Sequence, residues 1–482
     1  MPSANPRMRP GPSRTTQPRR PRGLIVLCAL VVSLTAMPAA AQTRRVNAPY
    51  FPDGVRSSES AVFWFGRVDP SQNYTDVRIA YTDDELWVRL AIFDQWLWLD
   101  DAASRTPASL VTWDAATLVL DTGSGGSAPA GTSYRFVGEL SSFRPRTDYQ
   151  AAYRGTGTAW GTPAALSFVT ETGWRGDALN NSGPDRGWNI TFRIPFSSLG
   201  LVGPPASGTT WRLGVQVHDR DSQTGTAVSD KFWPETFAVD QPSSWGQLGF
   251  GLRPAGPASP SGSTVTIRHG LDGAVVRDGM VGGGSTCAEG VDFFRSWGSL
   301  NYARSETLVV QNQADVADWP CFSKFYVDFP LTALTPGRTV SAATLTVYQF
   351  GGSDPTQALR SFVQVSTVRD PWDESSVTWN TAPLAGENVA VSRVEVIPSP
   401  GLPWPGAART WDLSWAVAQA YAAGQSTLRL VLYSADGGYH SGKYFSSSDV
   451  GDWNAVGRPT LQVVLSGSGG VPDPPTNLRI LP

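Results

Sequence analysis

The sequence predicts an all-β protein made of two β-sandwich domains joined by a Pro/Gly/Ser linker. Three observations carry that reading. The 482 residues are more than one compact core accommodates, so two domains are expected. Charged residues make up only 16%, whereas Gly numbers 49 and Pro 38, a balance that suits short strands joined by tight turns. Short runs rich in β-branched and aromatic residues recur along the chain with turn formers between them, and the 19 Trp fall among them.

Taken in order, residues 1–41 read as an export signal. Arg7, Arg9, Arg14, Arg19, Arg20 and Arg22 form a basic start. Leu24 to Met37 is apolar but shorter than the ~20 residues a spanning helix needs. Small residues at Ala39 and Ala41 then supply a cleavage signature before Gln42, which predicts a secreted, extracellular protein. Cys28 leaves with this segment, so Cys287 and Cys321 remain, and two thiols in an oxidising compartment predict one disulfide. Loss of the six Arg takes the formal charge from −3 to −9. Such a chain has no electrostatic reason to bind nucleic acid or anionic lipid. No later apolar run is long enough for membrane insertion.

The first sandwich is placed at residues 47–252. "DVRIAYTDDELWVRLAIFD" alternates on both sides of Thr82-Asp83-Asp84-Glu85 and reads as a hairpin. Further strands are expected at Ala116–Asp121, Tyr134–Leu140, Leu166–Glu171, Trp188–Pro195 and Trp211–Asp219, with one helical turn in "PFSSLGL". Residues 253–262 are nearly devoid of groups to bury and form the linker. The second sandwich, 263–466, has strand patterns at Phe322–Leu331, Ser341–Phe350, Ser361–Val368, Ser426–Ala435 and Arg458–Ser466. Its single helix is expected at Leu413–Gly424, where apolar residues recur at three- and four-residue spacing before a terminal Gly. Residues 467–482 read as a flexible tail, and no repeat of fixed period is visible.

Two resemblances are carried by quoted motifs. In the first half, "DVRIAYTDDELWVRLAIFD", "WNITFRIPFSSLGL", "WRLGVQVHDRD" and "KFWPETFAVDQPSSWGQLGF" resemble, in that order, the family 9 carbohydrate-binding modules and their DOMON-like relatives. That resemblance implies a β-sandwich that takes sugar-chain ends or, in other branches, haem. In the second half, "KFYVDFPL", "DPWDESSVTWNTAP", "KYFSSSD" and "RPTLQVVL" resemble the DNRLRE-type domain, carbohydrate-binding module family 96. That resemblance implies a secreted, jelly-roll-like sandwich with sugar affinity. Haem of the DOMON kind is disfavoured, because Met1, Met8, Met37 and Met280 all fall outside the first domain and His218 is its only His.

Sugar binding in water needs flat apolar rings beside hydroxyl-bonding groups. "FDQWLWLDD" places Trp96 and Trp98 one residue apart after a strand, so both indoles face one way, with Asp100 and Asp101 beside them. Trp188 and Trp233 are further platform candidates, and Lys231 and Glu235 flank Trp233 as polar contacts. The competing reading for each Trp is a core position. Asp94, Asp114, Asp121, Asp219 and Asp221 start or end strands and could converge on Ca²⁺, a cation that favours hard oxygen ligands; turn capping is the alternative. For catalysis, "DPWDES" offers Asp370, Asp373 and Glu374, but no nucleophile elbow is present. The expectation is therefore a non-catalytic protein that holds a polysaccharide or cell-surface glycan. Its rivals are a polysaccharide lyase or glycosidase carrying these modules, and a structural adhesin without a sugar site.

Overall fold

The structure, a computed structural model, describes residues 43–467 except 102–104, 142–144, 317 and 399–400. The export segment at 1–41 and all but the first residue of the tail lie outside the described residues. The fold is all-β, as expected. The described residues form three sheets and the expected helix, which runs from Ser414 to Ala422 and is closed by Gly424 at a φ of +66°. Among them no helix is long and apolar enough to cross a membrane.

The expected hairpin forms from Gln72–Tyr81 and Glu85–Phe93, antiparallel with Ile79 opposite Val88. It lies inside a five-stranded sheet in the order Ala61–Asp69, Gln72–Tyr81, Glu85–Phe93, Trp188–Pro195, Val169–Trp174. The carboxyl half builds a six-stranded sheet from Ser263–Arg268, Thr460–Ser466, Thr339–Gly352, Lys443–Ser446 and Thr307–Val310, with Ala407–Asp412 beside Thr339–Gly352.

A thirteen-stranded sheet spans both halves. Its amino-half strands run from Trp160–Pro163 at the edge through Gln150–Gly155, Ser133–Glu139, Ala115–Asp121, Thr210–Asp219 and Gly246–Phe250 to Arg45–Ala48. Val228–Trp233 pairs on the side of Thr210–Asp219. The carboxyl half continues with Ala385–Val394, Ser361–Val368, Thr427–Ser434, Ser323–Pro330 and Arg277–Gly282. Arg45–Ala48 joins the two. It runs parallel to Gly246–Phe250 and touches Ala385–Val394 at Arg45 and Glu387. Amide side chains extend that contact: Asn47 N–H donates to Asn388 Oδ1 at 2.7 Å, and Asn388 Nδ2 donates to Asn47 O at 3.0 Å.

Each half has its own inter-sheet core. Phe63, Phe65, Val77, Ile79, Val88 and Leu90 meet Leu118, Phe136, Val215 and Leu248 in the first. Phe325, Val327, Leu345, Val347, Leu430 and Leu461 fill the second. A third apolar cluster lies between the halves. Val62, Trp64, Tyr74 and Phe93 on the outer face of the five-stranded sheet pack against Trp297, Trp319, Phe322, Tyr326, Trp379 and Tyr433. The strand "AVFWF" is thus buried on both faces: Phe63 and Phe65 point into the first core, Val62 and Trp64 into the inter-half cluster. Burying one such aromatic stabilises by about 1.5–3 kcal/mol. Close approach fixes Gly187 at this junction, since a Cβ there would lie 1.7 Å from the Trp319 ring and its φ is +76°.

Polar groups buried in the same junction pair across it. Arg78 donates to the carbonyls of Ala435 at 2.9 Å and Asp436 at 2.8 Å, and Asp76 accepts from Asn312 and Tyr433. The segment 253–262 is also tied down: Arg253 pairs with Glu387 at 2.7 Å and stacks 4.1 Å from Trp415, and Gly256 N–H donates to Asp412. Cys287 and Cys321 form the expected disulfide, closing a separation of 34 residues.

Candidate functional site

The segment after Glu85–Phe93 is held down by its neighbours through successive backbone amides. Trp96 N–H donates to Asp94 at 3.1 Å, Leu97 N–H to Asp185 at 3.1 Å and Trp98 N–H to Asp114 at 2.7 Å. Leu99 N–H donates to Asn180 at 2.8 Å and Asp100 N–H to Glu139 at 2.6 Å. Leu97 and Leu99 enter the interior, and the intervening Trp96 and Trp98 are half-buried. Trp96 Nε1 donates to Pro70 O at 3.2 Å, whereas Trp98 Nε1 is buried without an acceptor among the described residues. The alternation expected of the two indoles is present, but neither ring stands free at a rim.

Two other platform candidates are corrected. Trp188 is 2% exposed and Trp233 1% exposed, both inside the first core. Trp188 shares a strand face with Ile190, Phe192 and Ile194, and the Trp233 ring lies 4.3 Å from that of Phe63, so neither has a face to offer a sugar. Glu235 is engaged in an ion pair with Arg44, and Arg44 also reaches the carbonyls of Leu384 and Ala385. Lys231 is half-buried and donates to Ser229 O at 2.7 Å. Glu235 is thus tied to Arg44, whereas the Lys231 bond is an exposed one within its own strand.

Of the five aspartates, the fold brings three together. Asp94, Asp219 and Asp221 each present a carboxylate oxygen within 4.8 Å of the others. Asp94 Oδ2 and Asp219 Oδ1 are buried with no hydrogen-bond partner among the described residues. Burial and mutual repulsion hold the Asp94 carboxyl well above its usual range and push Asp219 to about 8; burial alone moves Asp221 to about 6. Three crowded carboxylate oxygens, two of the groups having a buried oxygen without a partner, form a hard-ligand set that fits Ca²⁺. Lys231 lies close enough to offset part of the charge on Asp219. Asp114 stands beside the group but its oxygens accept from Trp98 and Arg220 amides, so it orders backbone. Asp121 is also corrected: its carboxylate accepts from Gly123, Gly125, Thr132 and Ser133, which makes it the cap of a turn.

The acidic residues of the second half make local hydrogen bonds and an ion pair. Asp373 accepts from the Ser375 amide and hydroxyl, Glu374 from the Arg304 amide at 2.7 Å, and Asp370 from Arg44 at 3.2 Å.

Open aromatic faces occur elsewhere. Trp404 is 50% and Trp453 67% exposed; their ring centroids are 5.2 Å apart and their planes meet at 87°. Phe350 backs Trp404 at 5.0 Å. The two indoles form an open corner on the carboxyl half. Sequence reasoning passed over them, although a Trp inside "SPGLPWPGA" has no strand to bury it, and that was the available signal. A depression of about 460 Å³, lined by Trp174, Arg175, Gly176, Pro184 and Arg186, opens on the amino half.

Residues 294–460 match the model of carbohydrate-binding module family 96, a span that includes Trp404 and Trp453. No curated protein matches the chain. Among solved structures, the chain is similar to a family 9 carbohydrate-binding module from Caldicellulosiruptor kristjanssonii in complex with cellotriose: identity is 18%, TM-score 0.30, over 46% of this chain and 100% of that one. The same family in complex with glucose matches at 16% identity and TM-score 0.30, over 45% and 100%. A putative carbohydrate-binding protein from Bacteroides uniformis ATCC 8492 matches at 13% and 0.30, over 43% and 99%.

Proposed function

We propose that this chain is a secreted, non-catalytic carbohydrate-binding protein that holds a polysaccharide or cell-surface glycan by aromatic stacking. One observation carries the reading: two half- to two-thirds-exposed indoles set at right angles, inside the segment that matches a carbohydrate-binding family. Apolar rings open to water are costly unless a ligand covers them, and the C–H face of a pyranose is flat enough to do so. The acidic residues nearest to a catalytic pattern are committed to local hydrogen bonds, which supports binding without turnover. Export is supported by the sequence pattern of residues 1–41 and by the disulfide.

Ca²⁺ belongs to the proposal as a structural ion. Asp94, Asp219 and Asp221 would hold it, and its charge would relieve the repulsion among them and tie the 94–100 segment to the end of Thr210–Asp219.

Affinity electrophoresis through gels containing neutral and anionic polysaccharides tests the reading. Trp404→Ala and Trp453→Ala should each weaken retardation about tenfold, the scale of one aromatic contact. Retardation unchanged in the double variant, or absent in the parent on every polysaccharide, would overturn it.

A further inference from the structure

The depression beside Trp174 is lined by Trp174, Arg175, Gly176, Pro184 and Arg186. Trp174 ends the strand Val169–Trp174 and is half-buried against the first core, leaving part of its ring at the surface. The chain then continues as an extended pair: Arg175 N–H donates to Gly187 O at 3.0 Å and Arg186 N–H to Arg175 O at 2.7 Å. Arg175 and Arg186 therefore stand side by side where the chain leaves Val169–Trp174 and enters Trp188–Pro195. Both line the same depression of about 460 Å³, and both are exposed. Neither guanidinium has a hydrogen-bond or ion-pair partner among the described residues. That sets them apart from the arginines at 44, 253, 277 and 458, which are each paired with a carboxylate.

The walls are rigid. Asp185, buried beneath the depression, accepts Asp177 N–H at 3.1 Å through one oxygen and Leu97 N–H at 3.1 Å through the other. Gly176 packs so closely that a Cβ there would lie 1.8 Å from Asp185 Oδ1. Asn181 closes the lip by donating to Asp177 Oδ2 at 3.2 Å and accepting Gly183 N–H at 2.8 Å. The floor is thus preformed, and only the two guanidiniums are free to meet a ligand.

We infer that this depression is a second glycan site, distinct from the Trp404–Trp453 corner, and that it takes an anionic sugar: the Trp174 ring receives the C–H face while Arg175 and Arg186 grip the carboxylate or sulfate. Two unpaired guanidiniums at one concavity repel each other and are neutralised best by a single bidentate anion. The adjacent indole edge selects an anion carried on a ring over a free ion. The carboxylates of Asp185 and Asp177 at this site are turned to backbone amides and to Asn181, which leaves the two guanidiniums as the groups that line the opening.

The test uses the full chain in gels of polygalacturonate, heparin and a neutral xylan, with Arg175→Gln/Arg186→Gln, Trp174→Leu and Trp404→Ala/Trp453→Ala compared to the parent. The expected result is that the double Arg variant loses about tenfold or more in retardation on the anionic glycans, the scale of lost charge-assisted bonds, and keeps its behaviour on xylan. Added salt should weaken the anionic interaction alone. Displacement by free galacturonate identifies the carboxylate as the recognised group, and displacement by inorganic sulfate identifies the sulfate ester. Arg175→Lys/Arg186→Lys, which keeps the charge but not the fork, should retain part of the binding and guards against misfolding of the Gln variant. Equal retardation of parent and double Gln variant on the anionic glycans overturns this inference. Anionic binding lost only with Trp404→Ala/Trp453→Ala overturns it too, while leaving the corner reading intact. Arg-dependent binding to polygalacturonate or heparin, with retardation unchanged in Trp404→Ala/Trp453→Ala on every gel, would overturn the corner reading and leave this one standing.

Discussion

Asn380 reads the backbone of Val68 as a neighbouring strand would: its Nδ2 donates to Val68 O at 2.8 Å, and its Oδ1 accepts Val68 N–H at 2.8 Å. Gln364 does the same at the other end of that strand, donating to Ser60 O and accepting Val62 N–H. These side chains cross from the carboxyl half to the amino half. Asn380→Leu, similar in volume, should destabilise the chain by about 1–3 kcal/mol, because two partly buried backbone groups lose their partner. Asn380→Asp should cost more, since a carboxylate faces the Val68 carbonyl. Urea unfolding followed by Trp fluorescence reads both; an unchanged midpoint for both variants would show that water replaces the contact at no cost.

Lys324 lies in an aromatic box made by both halves. Its ammonium is 3.9 Å from the ring centroids of Trp64 and Trp379, and it donates to the Tyr74 hydroxyl at 2.9 Å. The side chain is fully buried, and burial holds its pKa well below the ordinary lysine value. Lys324→Ala leaves a cavity and should lose about 2–5 kcal/mol, whereas Lys324→Met fills the volume without a buried cation and should stay within about 1.5 kcal/mol of the parent. Differential scanning calorimetry of the two variants separates filling from charge; equal losses in both would assign the stabilisation to the cation itself.

The carboxylate triad makes a metal prediction. Adding Ca²⁺ to chelator-treated protein should raise the melting temperature, and Mg²⁺, which demands tighter octahedral geometry, should do so less. Asp219→Asn should abolish the Ca²⁺ shift, and above about pH 8, where the Asp219 carboxyl ionises, it should make the metal-free form more stable than the parent, because it removes a buried charge from a repulsive group. A Ca²⁺ shift preserved in Asp219→Asn would place the ion elsewhere.

Glu139 provides a pH prediction. It is buried, one oxygen accepts the Asp100 amide, and burial pushes its pKa from 4.5 up to about 8 despite the nearby Arg105 and Arg146. The folded chain therefore holds a proton that the unfolded chain releases, and this group stabilises least above pH 8. Its contribution is present below about pH 4.5 and falls away as pH rises to about 8. Glu139→Gln should match the parent near pH 5 and exceed it near pH 8.5 in urea midpoint. A constant difference between the two across that range would rule out titration at this position.

Local patterns carried most of the secondary structure. Trp188–Pro195 falls where alternation puts it, because Trp188, Ile190, Phe192 and Ile194 share one face on a single core. Ala61–Asp69 escaped notice for the opposite reason: both faces are buried, so its run of apolar residues has no period to detect. Ala385–Val394 escaped because it mixes Gly, Glu, Asn and Ser, with Glu387 and Asn388 bonding Asn47 across the junction. The site was less legible. An aspartate that caps a turn and one that meets other carboxylates look alike in one dimension, so Asp121 could not be told from Asp219 before the loops were placed in space. For tryptophan the outcome was inverted: Trp188 and Trp233, both on strands, went inward, and the exposed Trp404 and Trp453 lie in a Pro- and Gly-rich turn and a short helical segment.

Arg45–Ala48 has a consequence for how such a molecule could be inherited. A cut near residue 255 would strip Ala385–Val394 of its asparagine-bonded neighbour and leave Trp319 and Trp379 facing water, while the amino half would show Trp64 and Phe93. Neither piece could be shuffled alone into another gene without that sticky wall. Recombination would therefore have to move the pair as a single cassette, and any lineage that separated them would first need to repaint the exposed wall with polar residues.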